Sequence, residues 1–246
     1  RIPLIISWSK QSKKQRKVDD FVLMNDFAPT LLELAGVSVP EEMTAESFVD
    51  ILKSDEEGFI DEDRDFVVLA RERHAFVREN GLGYPARAIR TKDYLYTHNY
   101  EPDRWPAGDP PLYGDVDSHM LQYPSPTKMY MLKNRDDEKV KPLFELAFKK
   151  RPSEELYDLS KDPYQMENVA NQESYQQIKT KLSDKLKEYL KKTGDPREGG
   201  PEFDFNKAKY YMDADKKPRP SEKAQKALDL KDEYDYLDGK PNWKND

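Results

Sequence analysis

Apolar positions along the chain fall into short continuous blocks and helically spaced stripes. "RIPLIISW" at residues 1–8 is continuously apolar from Leu4 to Ile6. That is the pattern of a strand buried on both faces, as in a parallel sheet. Pro3 stands near its start, where a missing donor is tolerated. A polar loop follows, and then "NDFAPTLLELAGVSVP" predicts a helix. Asn25 or Asp26 can cap it, Pro29 lies in its first turn, and Leu31, Leu32, Leu34 and Ala35 form its apolar face. Gly36 and Pro40 supply the stop. Strand, loop and helix in this order suggest the last unit of an α/β domain.

The middle of the chain changes period. "FVVLA" (Phe66 to Ala70) is a second apolar block, and "ARAIRTKDYLYTHNY" holds two alternating runs around Lys92–Asp93, a hairpin. From Pro102 to Pro126 six prolines break any period, which predicts a long functional or partner-covering loop. "VKPLFELAFKK" (Val140 to Lys150) reads as a short amphipathic helix, and Glu155 to Leu159 as a strand. Ser174 to Lys192 carries the clearest helical stripe, Tyr175, Ile178, Leu182, Leu186 and Leu190, with Ser174 and Gln177 in capping-box spacing. Residues 197–246 are charged with scattered aromatics, a tail laid on another surface or partly disordered.

Composition narrows the function classes. The balance of 41 basic to 48 acidic residues gives a net charge of −7, which argues against a general nucleic-acid binder. There is no cysteine, so disulfides, thiolate metal sites and a Cys nucleophile are excluded. No apolar run approaches the ~20 residues of a membrane-spanning helix. The buried-strand pattern at residue 1 suggests a chain cut inside a domain, with any signal peptide upstream of it.

The polar chemistry gathers around "RERH". Arg71, Glu72, Arg73 and His74 directly follow an apolar strand. They are either a solvated strand end with Arg–Glu pairs or the polar wall of a site. Continued strand alternation would put Glu72 and His74 on one face and Arg71 and Arg73 on the other. Glu72 and His74 would suit a glycan's hydroxyls or amine, and an Arg would suit a sulfate or carboxylate. Arg104 and Trp105, between prolines in "EPDRWPAG", are a packed loop or a cleft lip where Trp105 stacks on a sugar. Other polar groups have bland readings. His98 is a hairpin residue, "DVDSH" around His119 is a solvated loop rather than a metal site, and Lys10 to Lys17 are a solvated loop rather than a heparin-binding run.

Three stretches together resemble type I sulfatases. "RIPLIISW…VDDFVLMNDFAPTLLELAGVSVP" is similar to the segment closing their large domain, and "RPSEELYDLSKDPYQMENVA" to a pattern near their C-terminus. "RERH…GYPARAIRTKDYLYTHNYEPDRWPAG" resembles the heparan N-sulfatase (N-sulfoglucosamine sulfohydrolase-like) branch. The resemblance runs from residue 1 to about 196. It implies an α/β fold, the C-terminal portion of an alkaline-phosphatase-like sulfatase, with a smaller antiparallel sheet and a long helix. Residues 1–60 would hold the last strand and helix of the large domain, 61–196 the C-terminal subdomain, and 197–246 the tail.

The same resemblance implies a parent enzyme hydrolysing sulfate esters or sulfamates of sulfated sugars, with heparan-type N-sulfoglucosamine as first candidate. Its calcium ion and formylglycine would belong to an N-terminal half missing from this chain. No Cys or Ser here stands in C/S-x-P-x-R context, so no catalytic or metal residue is expected, and the chain alone is expected to be inactive. The resemblance places "RERH" near the pocket mouth, which makes Glu72, Arg73, His74, Arg104 and Trp105 the candidate substrate contacts. The expected partners are a sulfated saccharide and the N-terminal half, in a periplasmic or secreted setting. Two rival classes stay open: a non-catalytic glycan-binding or structural module, and a phosphatase or phosphodiesterase of the same superfamily.

Overall fold

The computed structural model describes residues 2–8, 15–115 and 125–209. The chain divides into two compact units. One takes residues up to Val67 with Arg90–Lys92, and the other takes Val68–Ile89 with the chain from Asp93 onward.

In the first unit, a 3-10 turn at Met24–Asp26 leads into α1 (Phe27–Leu34), and α2 spans Val49–Lys53. Asp26 does not cap α1 with its side chain. Its carboxylate instead accepts the Leu23 N–H and the Arg64 guanidinium, both at 2.9 Å. The Thr30 hydroxyl donates to the Asp26 carbonyl and accepts from the Phe48 N–H at 3.0 Å, which ties α1 to the start of α2. Gly36, at φ +71°, takes the left-handed conformation that follows the helix. Asp20 accepts backbone N–H groups of Ile60 and Asp61, so that carboxylate clasps a loop.

Two expectations fail in this unit. Residues 2–8 form no strand, and Ile2 and Ile5 are almost fully exposed. A buried strand needs neighbours for its backbone donors and acceptors, and the described residues provide none here. The helix α1 forms as expected, but its apolar face stays open, with Leu31 and Leu34 exposed. The helix is held through Pro29, Thr30 and an edge-to-face contact of Phe27 with Phe48.

The strands form a four-stranded sheet in the order β1 (Phe66–Arg71), β2 (Ala86–Thr91), β3 (Tyr94–Asn99), β4 (Glu154–Asp158). Only Lys92 and Asp93 separate β2 from β3, as the alternating pattern required. β3 pairs antiparallel with β4, Tyr96 opposite Leu156. α5 (Gln176–Lys192) packs on β3 and buries Leu182, Leu186 and Leu190, three of the five predicted stripe positions. A 3-10 turn at Glu173–Tyr175 precedes it, so Tyr175 rather than Ser174 is the N-cap, and the expected capping box does not form.

A second core gathers Ala107, Tyr113, Met129, Leu132 and Phe148, with Trp105 and Phe144 packed against it. It involves α3 (Pro126–Lys133) and α4 (Lys141–Phe148). α3 begins inside what the sequence marked as loop. Pro126 is its first residue, a position where proline's missing N–H is harmless.

Candidate functional site

The "RERH" stretch lines an open depression in the second unit, formed by Ala70, Arg71, Glu72, Arg73, His74 and Asp115. β1 ends at Arg71, and the chain then bends. Strand alternation therefore stops there, and the expected split is corrected: Arg71 and His74 meet at one carboxylate. Asp115 Oδ2 accepts from Arg71 at 2.7 Å, while its Oδ1 lies 3.0 Å from His74 Nδ1. The Asp115 side chain is 1% exposed, that of Arg71 44% and that of His74 63%.

Behind this pair stands Arg78, which is fully buried. It donates to Asp115 Oδ2 at 2.7 Å, and to the carbonyls of Trp105 and Pro106, each at 2.7 Å. Burial pulls the Arg78 pKa down, and the Asp115 carboxylate works against that pull. The "RWP" segment thus serves the depression through its backbone.

Glu72 faces a different network. Arg197 grips its carboxylate bidentately, both contacts at 2.7 Å, and Arg87 reaches it at 2.7 Å. Arg87 also holds Asp195 at 2.8 Å. Burial disfavours both charges of that pair. Even so, the carboxylates raise Arg87 above its ordinary value, and the Arg87 guanidinium and Arg197 N–H hold Asp195 below its own. Gly83 is required here, because a Cβ on it would stand 2.6 Å from the Glu72 carbonyl oxygen.

Arg73 donates to the carbonyls of Gly81 (2.9 Å) and Ala208 (2.6 Å). Arg104 donates to the Gly83 carbonyl (3.0 Å) and to Asn206 Oδ1 (3.2 Å). Glu72, Arg73 and Arg104 share a narrow cavity with Arg197, Phe205 and Asn206. Trp105 lies apart from them, edge-on to Tyr113 with ring centroids 5.6 Å apart. His98 sits on β3 against Tyr100, its pKa lowered by burial.

Of the five candidate contacts, the structure brings Glu72, Arg73 and His74 to the open depression, while Arg104 and Trp105 lie elsewhere. Sequence reasoning missed Asp115, Arg78, Arg87, Asp195 and Arg197. Asp115 was read only with His119, which lies outside the described residues, as do residues 10–14 of the basic run and the tail from 210 onward. Among the described residues no group of three or more His, Cys, Asp or Glu side chains could hold a metal ion.

Residues 1–109 match the family described as N-sulphoglucosamine sulphohydrolase, C-terminal. That match supports a C-terminal sulfatase part over those residues. Both "RERH" and "DRWPAG" fall inside the match. Two ulvan-active sulfatases of Formosa agariphila are each 27% identical to it, over 195 and 194 residues. Those alignments cover 79% and 78% of this chain, but only 34% and 29% of the relatives. The chain thus spans about a third of the length of the curated relatives it matches. A structure solved in complex with its substrate D-glucosamine-2-N,6-O-disulfate overlaps 69% of this chain and 24% of its own, at 21% identity and a TM-score of 0.43.

Proposed function

We propose that this chain is the C-terminal part of a sulfatase that hydrolyses sulfate esters or sulfamates of sulfated sugars, and that Arg71 to His74 form one wall of its substrate cleft. The observation that carries this reading is the family match over residues 1–109, which includes the whole "RERH" element. N-sulfoglucosamine of the heparan type is the first substrate to try, since the matching family is named for it. The ulvan-active relatives favour a second candidate, a sulfate ester on ulvan.

In this reading the chain's own residues bind and orient. Arg71 offers guanidinium N–H groups to an anionic oxygen, and His74 meets a neighbouring polar group of the sugar. The nucleophilic formylglycine and the calcium ion would come from the parent's N-terminal half, and no Cys or Ser of this chain stands in C/S-x-P-x-R context. That formylglycine would supply the covalent chemistry.

The test is sulfate release by the full-length gene product from N-sulfoglucosamine and, separately, from ulvan oligosaccharides. Release from either identifies the substrate class. Release from neither, with intact folded enzyme, overturns the sulfatase reading and favours a glycan-binding module. His74→Ala is expected to lower kcat/KM roughly tenfold or more, the scale of one lost charge-assisted hydrogen bond. The 246-residue chain by itself is expected to leave an aryl sulfate intact.

A further inference from the structure

The depression contains a carboxylate that the substrate-contact reading does not use. Asp115 is buried, yet one of its oxygens faces a histidine whose ring is mostly in solvent. A carboxylate can only accept, so the 3.0 Å contact requires the proton on His74 Nδ1. In the neutral ring Nε2 is then the acceptor. The other carboxylate oxygen holds Arg71, whose guanidinium also borders the depression. The carboxylate itself cannot swing away. Arg78 clamps it from the buried side, and Arg78 is clamped in turn by the Trp105 and Pro106 carbonyls.

We infer that Asp115 is a positioning residue. It holds His74 as the Nδ1–H tautomer with Arg71 beside it, so that the pair recognises a sugar hydroxyl next to an anionic substituent. The hydroxyl donates to His74 Nε2, and the anion accepts from Arg71. This rests on the proposed function for its substrate but not for its geometry, so the two can fail separately. It adds a specificity rule as well. A sugar bearing the anionic group without a free neighbouring hydroxyl loses the His74 contact and keeps that of Arg71.

The tautomer can be read directly. The chain has three histidines, so loss of one ring signal in His74→Ala assigns His74 in a nitrogen-15 spectrum. With the ring neutral, wild type should show Nδ1 protonated. A ring protonated mainly on Nε2 overturns the inference whatever the enzyme does. Asp115→Asn should abolish the preference while the backbone amide spectrum persists, and an unchanged tautomer in that folded variant also overturns it. If Asp115→Asn does not fold, Asp115→Glu keeps the charge for the two arginines and displaces the oxygen facing His74.

In the full-length enzyme, Asp115→Glu and His74→Ala should each lower kcat/KM roughly tenfold or more. The double variant should lose less than the sum of the two single losses, because part of the Asp115 effect runs through His74. Additive losses would return Asp115 to a purely structural role. A wild-type enzyme without sulfate release sinks the proposed function instead, and the spectrum still decides the tautomer.

Discussion

Asp115 and Asp158 are both buried carboxylates, and their partners give them different work. Asp115 faces a depression, whereas Asp158 ends β4 and ties down the turn after it. Asp158 accepts from the Ser160 hydroxyl at 2.6 Å, from Tyr175 at 2.8 Å and from Lys161 at 3.1 Å. The Ser160 hydrogen bond above all, then those of Tyr175 and Lys161, hold the carboxyl well below the usual range against the opposing pull of burial. A depressed folded pKa adds stability above the unfolded value of ~3.9 and loses it as pH falls through the folded value. Asp158→Asn should therefore cost about 1–3 kcal/mol at neutral pH. Urea unfolding of both proteins should show that difference shrink as pH drops below about 4. A gap that grows in acid would contradict the assignment. At this scale the sequence marked Glu72, Arg73 and His74 because four polar residues abruptly follow an apolar block. It could not mark Asp115, which lies 41 positions beyond His74.

Elements with complete local signals formed as their periods predicted. The hairpin needed only two alternating runs and a two-residue turn, and α5 needed only its leucine stripe. Leu186, fully buried on the sheet side of α5, should cost about 2–5 kcal/mol when changed to Ala. Leu31 on α1 also belongs to a predicted apolar face, but it is 62% exposed. Leu31→Ala should shift stability by no more than about 0.5 kcal/mol. Chemical denaturation of the two variants separates a stripe that found its surface from one that did not. Residues 2–8 make the same point for a strand, since apolarity shows the wish for burial and only a neighbour satisfies it. α3 was hidden for another reason. Prolines that usually break a helix stand before it and at its first position, where they do no harm.

Across the whole molecule, the described start of the tail belongs to the second unit. Asp195, Arg197, Asn206 and Ala208 contact Arg87, Glu72, Arg104 and Arg73 respectively. Phe205 lies on the Arg197 guanidinium, 4.9 Å from ring centre to the central carbon. Ending the chain at Gly194 would strip Arg87 of Asp195 and Glu72 of Arg197 while leaving both in place. Among the described residues, Arg87 and Glu72 would keep only each other as ion-pair partners, and each lost hydrogen bond between charged groups costs about 1.5–3 kcal/mol. The shortened protein should therefore melt well below the full chain in a thermal scan, and equal midpoints would show that the tail adds nothing.

The sequence by itself determined the α/β class, the hairpin, the long helix and the position of the polar stretch that borders the depression. These are readable because side-chain period and turn chemistry act over a few residues, where neighbours in sequence are neighbours in space. The tertiary structure alone decided which charges meet. In a chain with 41 basic and 48 acidic residues many pairings are chemically acceptable. Folding selects among them by distance and burial, joining Glu72 to Arg197 across 125 positions and His74 to Asp115 across 41. For that reason "RERH" could be recognised as polar and out of place, while its partners had to be found in three dimensions.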